Sequence, residues 1–546
     1  MCNIFNDYFI AVGKNLADSI RNCTVDPLSY MGNRTQNTFY FENTTAAEVD
    51  NIISSFRNKK TNLNNIPTFV IKKISHILSP LLVTLFNESI LQGTFPTKLK
   101  LGRVIPLHKS GSQTAVSNYR PITTLSIFSK IFEKLVHKRL VKFIDKYEII
   151  NKNQFGFQKS KSTSDAILEF LDNVYDSFDR DNHLLAIFLD FSKAFDTISH
   201  DILLSKLEFL GFRGPINSWL GSYLRGRKQF VSVGDEASVP KETSIGVPQG
   251  STLGPLLFIL YINDMKKCLK TMKVLHFADD STLYCAYDLA SMSNLINADL
   301  VSVNTWLSAN KLFLNIDKTK YITFRNRKIP PPLDLKIGSS VVCNTNAHKF
   351  LGVHIDENLN FKAHINRVSS KVASGVGMIR SISPFVPKSI LRQLHFAFVH
   401  SKFTYALTSY GTSSQNQLRR ISNLVNKSIK LCTGASRVTL DICISEKFFD
   451  LNMAHKYFSC LKMYQVLEMN FHPYFWHKLR SFQITHSHAT RRNAFQKLSI
   501  PYVRLAKCQR SFLFTGIKFW NELPLNIRNS SNLKKFKSDL KKFIFT

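Results

Sequence analysis

Val274-Leu275-His276-Phe277-Ala278-Asp279-Asp280-Ser281-Thr282-Leu283-Tyr284 sets two adjacent carboxylates on a tight turn between two strand arms. Apolar, β-branched and aromatic residues on both sides of a short polar break are the pattern of a hairpin. A second apolar strand, Leu184 to Asp190, ends in a third carboxylate. If the two segments are neighbours in one sheet, Asp190, Asp279 and Asp280 converge. Acidic groups gathered in this way repel one another and raise each other's pKa unless cations lie between them. Read alone, Asp279-Asp280 fits a solvated acidic turn equally well.

Composition narrows the choice. The 546 residues predict two to four compact units. Hydrophobic residues make up 44% and aromatics 12%, enough for real cores and against general disorder. Lys and Arg total 72 against 38 Asp and Glu, a formal charge of +34. Such a surplus self-repels unless a polyanion shares it, which points to nucleic acid as partner. The nine cysteines form no CxxC or Cys/His cluster, so neither a zinc finger nor a disulfide framework is expected. Reduced thiols and the lack of a signal-peptide pattern fit an intracellular protein, cytoplasmic or nuclear. The longest apolar run, Gly254 to Ile262, is too short to span a bilayer, so no membrane partner is expected.

Working outward from the acidic turn, helix and strand signals alternate. Leu289, Met292, Leu295, Ile296, Leu300, Val303 and Trp306 recur at helical spacing. Ile127 to Asp145 reads as a helix. Arg103 to Leu107, the turn Ser110-Gly111-Ser112 and Asn118 to Ile122 read as a basic hairpin. Thr45, with Glu48 three residues on, starts a helix carrying Val49, Ile52, Ile53 and Phe56 on one face. Pro67 to Leu91 is helical, and Pro80 is expected to split it. Residues 1–44, after an amphipathic start at Ile4, Phe5, Tyr8 and Phe9, read as a linker or N-terminal arm. From Phe361 the pattern is mostly helical, and the tail from Pro501 holds ten Lys or Arg against two acids.

The motifs decide the reading of the carboxylates. Phe188-Leu189-Asp190-Phe191-Ser192-Lys193-Ala194-Phe195-Asp196 resembles motif A of reverse transcriptases. Gly246-Val247-Pro248-Gln249-Gly250-Ser251 resembles motif B, and Phe277-Ala278-Asp279-Asp280 motif C. Leu314 to Lys320 is similar to motif D, and Lys349-Phe350-Leu351-Gly352-Val353 to motif E, the primer grip. Arg103 to Lys109, Asn118 to Ile122 and Gln154-Phe155-Gly156-Phe157 resemble the fingers motifs. All stand in family order across roughly residues 45–440. Asn118-Tyr119-Arg120-Pro121-Ile122 and Thr515 to Asn521 resemble most the non-long-terminal-repeat retrotransposons of the Jockey type.

The resemblance implies an α+β right-hand polymerase, with fingers over 45–180 and a palm with the catalytic carboxylates over 181–345. Primer grip and helical thumb follow over 346–440, then a basic C-terminal region over 441–546. It implies RNA-directed DNA synthesis by two-metal nucleotidyl transfer; a relic that only binds nucleic acid is the alternative. Two Mg²⁺ ions, with Mn²⁺ as a substitute, would activate the primer 3′-hydroxyl and stabilise the leaving pyrophosphate. Asp190 and Asp279 would ligate them with the Phe191 carbonyl, and Asp280 would support them. Lys318 would act as general acid, with Lys320 close enough to swap roles. Lys109 and Arg120 would grip the triphosphate, Phe195 would be the steric gate against a 2′-hydroxyl, and Gln249 and Gly250 would lie against the nucleotide. Phe350, Leu351 and Gly352 would place the primer end, with a plain buried strand as the alternative for that stretch. Partners would be template RNA, a DNA primer or nicked target DNA, and dNTPs. Two departures stand out: Gln158 where relatives often have Arg, and Ser160-Lys161-Ser162-Thr163 where Gly-Arg-Ser-Thr is common. The upstream endonuclease usual in such elements is not expected within residues 1–44, so the resemblance implies either a fragment of a longer reading frame or a truncated element.

Overall fold

In the computed structural model the described residues are 1–546 without 21–22, 59–62, 64–65, 288–291, 326–332, 470 and 483–496. The chain opens on α1 (Cys2–Ser19), so the expected N-terminal arm begins as a docked helix. Cys2, Phe5, Phe9, Gly13 and Ala17 recur on one face, and Cys2, Phe5 and Phe9 bury against Val104 and Val231. In α2 (Ala46–Ser55) the Thr45 hydroxyl accepts from the Glu48 N–H, as the capping pattern predicts. Helices α3 (Thr68–Lys73) and α4 (Ser75–Leu91) break at Ile74 and not at Pro80, which lies inside α4. Pro80 and His76, whose carbonyl the proline leaves unpaired within the helix, are both exposed, so water can satisfy that carbonyl.

Strands β1 (Leu101–His108) and β2 (Tyr119–Leu125) form the expected basic hairpin, with Leu107 opposite Arg120. Helices α5 (Ile127–Lys146) and α6 (Thr163–Asp179) follow, then β3 (His183–Leu189), α7 (His200–Phe209) and α8 (Pro215–Leu224). β4 (Arg227–Val233) runs parallel to β1 and pairs with β5 (Glu236–Ala237) and β6 (Lys241–Thr243), completing the first sheet. After α9 (Gly254–Tyr261) come β7 (Lys273–Phe277), β8 (Asp280–Tyr287), α10 (Met292–Ala309) and β9 (Lys320–Phe324). Leu289, expected in α10, lies outside the described residues. A small hairpin, β10 (Lys336–Ile337) and β11 (Ser340–Val341), precedes β12 (Cys343–Asn344). β13 (Ala347–Phe350) and β14 (Val353–Asp356) make a further hairpin before α11 (Lys362–Ile382) and α12 (Lys388–His395).

The second sheet has the order β12-β9-β3-β8-β7, with β3 antiparallel to both neighbours. All seven β3 residues are buried. Leu184, Ala186 and Phe188 enter one core; Leu185, Ile187 and Leu189 enter the other. A strand covered on both faces is apolar throughout, which is why this one shows no alternation in sequence. The first core holds α6, the β13–β14 hairpin, α11 and the C-terminal helices; the second holds α5 and α7–α10.

The basic C-terminal region is therefore part of a shared core. Its helices Leu451–Met469, Pro473–Ser481, Phe512–Glu522 and Leu533–Ile544 contribute Tyr464, Phe475, Trp520 and Phe536 to it. They also present cations to acids along α6. Lys478 Nζ lies 2.6 Å from Asp172, and Lys462 pairs with Asp165. All nine cysteines are free. Among the described residues no helix is long and apolar enough to cross a membrane.

Candidate active site

Sheet register brings the carboxylates together. Leu189 pairs with Ser281, so Asp190, one residue past the end of β3, emerges beside Asp280. Between β7 and β8 the chain turns through Ala278, which adopts the left-handed conformation at φ +58°. A conformation unfavourable for a side-chain-bearing residue needs outside support. Gln154 supplies it: its buried Oε1 accepts from the Ala278 N–H (3.2 Å) and the Gly156 N–H (2.8 Å). Phe155 N–H donates to the His276 carbonyl (2.8 Å), and His276 N–H to that of Asn153 (2.9 Å). Lys161 Nζ donates to the Gln154 carbonyl at 2.9 Å and stands 4.9 Å over the Phe155 ring. The Lys that replaces the common Arg thus helps brace the strap beneath the acidic turn. This bracing role was not read from the sequence, because it depends on a parallel bridge between residues far apart in the chain.

The carboxylates open into a cleft of about 760 Å³. Asp190, Phe191, Asp279 and Asp280 line it from the sheet, and Lys109, Arg120, Lys193 and Lys318 also face it. Lys318 Nζ stands 3.8 Å from Asp190 Oδ2. The Asp190 carbonyl accepts from the Asn315 N–H (2.8 Å), tying the two segments together. Burial pushes the Asp279 carboxyl up, and the Asp190 charge adds to this against Arg120 and Lys109. Asp280 is pushed up to about 6 by burial, then by Asp279 and Asp190. Lys193 is pushed down, chiefly by burial, and also by Lys109, Arg120 and Lys318.

This donor set fits hard divalent cations. Among the described residues no three His, Cys, Asp or Glu side chains are grouped so as to hold a metal ion as a cage of their own. Mg²⁺ does not need one, since one or two carboxylates plus substrate phosphates commonly complete its shell.

Other expected residues divide into two groups. Phe195 lines the cleft, stacked on Phe258 at 4.6 Å and edge-on to Phe157 at 6.3 Å. Gln249 also lines it. Gly250 does not. At φ +123° it sits against β2, where a Cβ would meet the Thr123 carbonyl oxygen at 2.3 Å. Its close backbone approach is to the chain's own strand, reinforced by Thr123 N–H donating to the Gln249 carbonyl (2.7 Å). Phe350 is buried between Phe170 and Phe188 and is a core ring. Leu351 and Gly352 form the β13–β14 turn with positive φ and do not line the cleft. Lys320 sits in β9 opposite Phe188, also outside the cleft lining, which separates it from Lys318. Tyr8 and Lys193 line the cleft and went unread in the sequence; Lys193 Nζ stands 5.6 Å from the Tyr8 ring centre. The amphipathic spacing of α1 was the available signal for Tyr8.

Residues 107–355 match the family model described as reverse transcriptase (RNA-dependent DNA polymerase). The chain is 29% identical over 413 residues to the probable RNA-directed DNA polymerase from transposon X-element of Drosophila melanogaster, covering 72% of this chain and 44% of that protein. It is 26% identical over 402 residues to the probable RNA-directed DNA polymerase from transposon BS of the same fly, covering 71% and 44%. Identity is also 26% to the RNA-directed DNA polymerase from mobile element jockey, over 72% of this chain and 44% of the relative. The chain spans less than half the length of these relatives.

Proposed function

We propose, from the premise that residues 107–355 are a reverse transcriptase domain, that this chain is the RNA-directed DNA polymerase portion of a non-long-terminal-repeat retrotransposon protein. The observation that carries the reading is the single cleft in which Asp190, Asp279 and Asp280 meet Lys109, Arg120, Lys193 and Lys318. In a right-hand arrangement, residues 45–180 serve as fingers, 181–345 as palm, and 346–440 as primer grip and thumb. Residues 441–546 buttress α6.

Asp190 and Asp279 would hold the metals, with the Phe191 carbonyl and Asp280 assisting. Two Mg²⁺ ions held there would supply Lewis-acid activation of the primer 3′-hydroxyl and charge stabilisation for the leaving pyrophosphate. Lys109 and Arg120 take the triphosphate, where fixed cations offset charge that spreads in the transition state. Lys318 delivers a proton to the departing pyrophosphate oxygen. Phe195, held by Phe258, blocks a 2′-hydroxyl and so selects dNTPs. The positive surplus binds template RNA and the primer or nicked target DNA, so affinity falls steeply with salt.

Extension of a DNA primer on an RNA template, comparing wild type with Asp279→Ala, tests this reading. Wild type should incorporate dNTPs in a Mg²⁺-dependent way, and the variant should lose at least a thousandfold. A wild-type chain that binds template–primer without extending it would leave only nucleic-acid binding.

A further inference from the structure

Residues 441–546 lie beyond the stretch that matches the family model, yet one of them touches the strap beneath the acidic turn. His472 directly precedes the helix Pro473–Ser481 and is 2% exposed. Its ring centre lies 5.6 Å from that of Phe155. Its Nε2 stands 3.2 Å from the Asp165 carbonyl oxygen and 3.9 Å from Glu169 Oε2, both on α6. A carbonyl oxygen only accepts, so Nε2 carries the proton and donates. Burial holds the imidazole pKa down, which keeps the ring neutral. Lys462, on the helix Leu451–Met469, pairs with Asp165. Asp165 Oδ2 in turn accepts from the Ser162 N–H at 2.8 Å and the Ser162 hydroxyl at 2.6 Å. The C-terminal region thus holds the first turn of α6 and the Phe155 ring together.

Phe155 belongs to the strap itself. Its N–H donates to the His276 carbonyl (2.8 Å), and the neighbouring Gln154 Oε1 accepts from the N–H groups of Gly156 and Ala278. The Phe155 side chain has no polar atom, so its place is set by what packs on it. Without the His472 ring, a void would open that the surroundings fill only in part. The strap would lose a fixed backing, and Ala278 keeps its left-handed conformation only while the strap supports it. We propose that His472 is a positioning residue for the catalytic carboxylates, acting through the Phe155 ring on the strap that fixes the turn of Asp279 and Asp280. Lys478 provides a contrast on the same seam. It meets α6 at Asp172 and Asp176, roughly two or more turns beyond Asp165.

This inference rests on the polymerase reading, and two readouts on the full chain separate them. Hydrogen exchange is followed without metal at the amides of Phe155, Gly156, His276 and Ala278, whose bonds join strap and turn. Primer extension is followed against Mg²⁺ concentration. His472→Gln keeps a donor for the Asp165 carbonyl but loses the ring, whereas His472→Phe keeps the ring and loses the donor. In His472→Gln those amides should exchange about three- to tenfold faster, and half-saturation by Mg²⁺ should rise by a similar factor, the worth of one aromatic pair. His472→Phe should stay close to wild type in both readouts. Phe155→Leu removes the same contact from the strap side, should match His472→Gln, and replaces it if that variant does not fold. Lys478→Met should lower stability without moving either readout. Unchanged exchange and Mg²⁺ dependence in folded His472→Gln, or equal changes in Lys478→Met or His472→Phe, overturn the inference and leave the polymerase reading standing. Faster exchange in His472→Gln beside a wild type that extends no primer overturns the polymerase reading and leaves the coupling to the turn.

Discussion

The backbone of Gly156 lies so close to Ala278 that a Cβ on Gly156 would come within 2.1 Å of the Ala278 nitrogen. That nitrogen heads the turn carrying Asp279 and Asp280, and the Gln154 amide already spans the two residues. Gly156→Ala must therefore shift the strap and the turn against each other, which misplaces Asp279 and Asp280 relative to Asp190. We expect primer extension to fall about a hundredfold or more, since misplacing reacting groups by about 1 Å can cost that much. Thermal unfolding should shift by only a few degrees. A variant with wild-type kcat would show that the turn tolerates displacement.

How far this was legible in the sequence depends on the kind of contact. The hairpin arms of β7 and β8, the Thr45 cap and the β1–β2 hairpin follow from local pattern, and the structure has them at those positions. The convergence of Asp190 with Asp280 needs the β3–β8 register, which the motif order implied but no local pattern encodes. Gly250 was read as lying against the nucleotide, and the Phe350 stretch as primer grip or buried strand, because a motif string names residues without saying which way they face. Gly250 meets Thr123, and Phe350 fills a core. The amphipathic start at Ile4, Phe5, Tyr8 and Phe9 was read, but as part of a linker or arm, because its apolar stripe gains a partner only in the fold, against Val104 and Val231.

Lys318 and Lys320 are equivalent by sequence distance, and the fold separates them. Lys318 stands 3.8 Å from Asp190 Oδ2 and faces the cleft, whereas Lys320 is fixed in β9. Lys318→Ala should lower kcat about a hundredfold with little change in KM for dNTP, the range for a lost general acid. Lys320→Ala should leave kcat within about threefold. Single-turnover kinetics distinguishes them, and equal losses from both would remove the assignment.

The carboxylates also set a pH dependence. Asp280 has its pKa raised in the fold to about 6, and Asp279 is raised as well. The folded state therefore holds more protons than the unfolded state between the ordinary carboxylate range and about pH 6. Metal-free stability should decline as pH rises through that window. Both carboxylates are set into the cleft wall yet remain open to the cleft, so solvent screening keeps the effect to about 1 kcal/mol or less. Asp280→Asn should flatten the decline in a urea-melt series. Divalent-ion affinity should show the opposite trend, weakening as pH falls below about 6; calorimetry finding no such change would contradict the raised pKa.

Helix α1 bears on the Arg120 side of the cleft. Phe5 is buried with Val104 and Val231 and meets Tyr119 edge-on at 4.9 Å, one residue before Arg120. Phe5→Ala should destabilise by about 3 kcal/mol or more, the usual cost of emptying a buried ring site. It should also raise KM for dNTP more than it lowers kcat, because β2 loses its backing. Stability loss with an unchanged KM would confine α1 to a purely structural role.

The seam between α6 and the C-terminal helices offers a test with a sign that depends on pH. Asp172 has 3% of its side chain exposed, yet it lies 2.6 Å from Lys478 Nζ and accepts from the Tyr474 hydroxyl at 2.8 Å. Burial pushes its carboxyl up, and Lys478 is the leading influence holding it down. Lys478→Met leaves that carboxylate buried with a single neutral donor, a loss of about 3 kcal/mol for a broken buried pair. Without the cation, the folded state binds a proton at Asp172 more readily than the unfolded state does, so the variant recovers stability as pH falls. The urea-unfolding difference from wild type should thus be larger at pH 8 than at pH 5. Lys478→Met combined with Asp172→Leu should be closer to wild type at pH 8 than Lys478→Met alone, because the unpaired Asp172 charge is removed with its partner. A difference that is the same at both pH values would mean that Asp172 is not the group left unpaired.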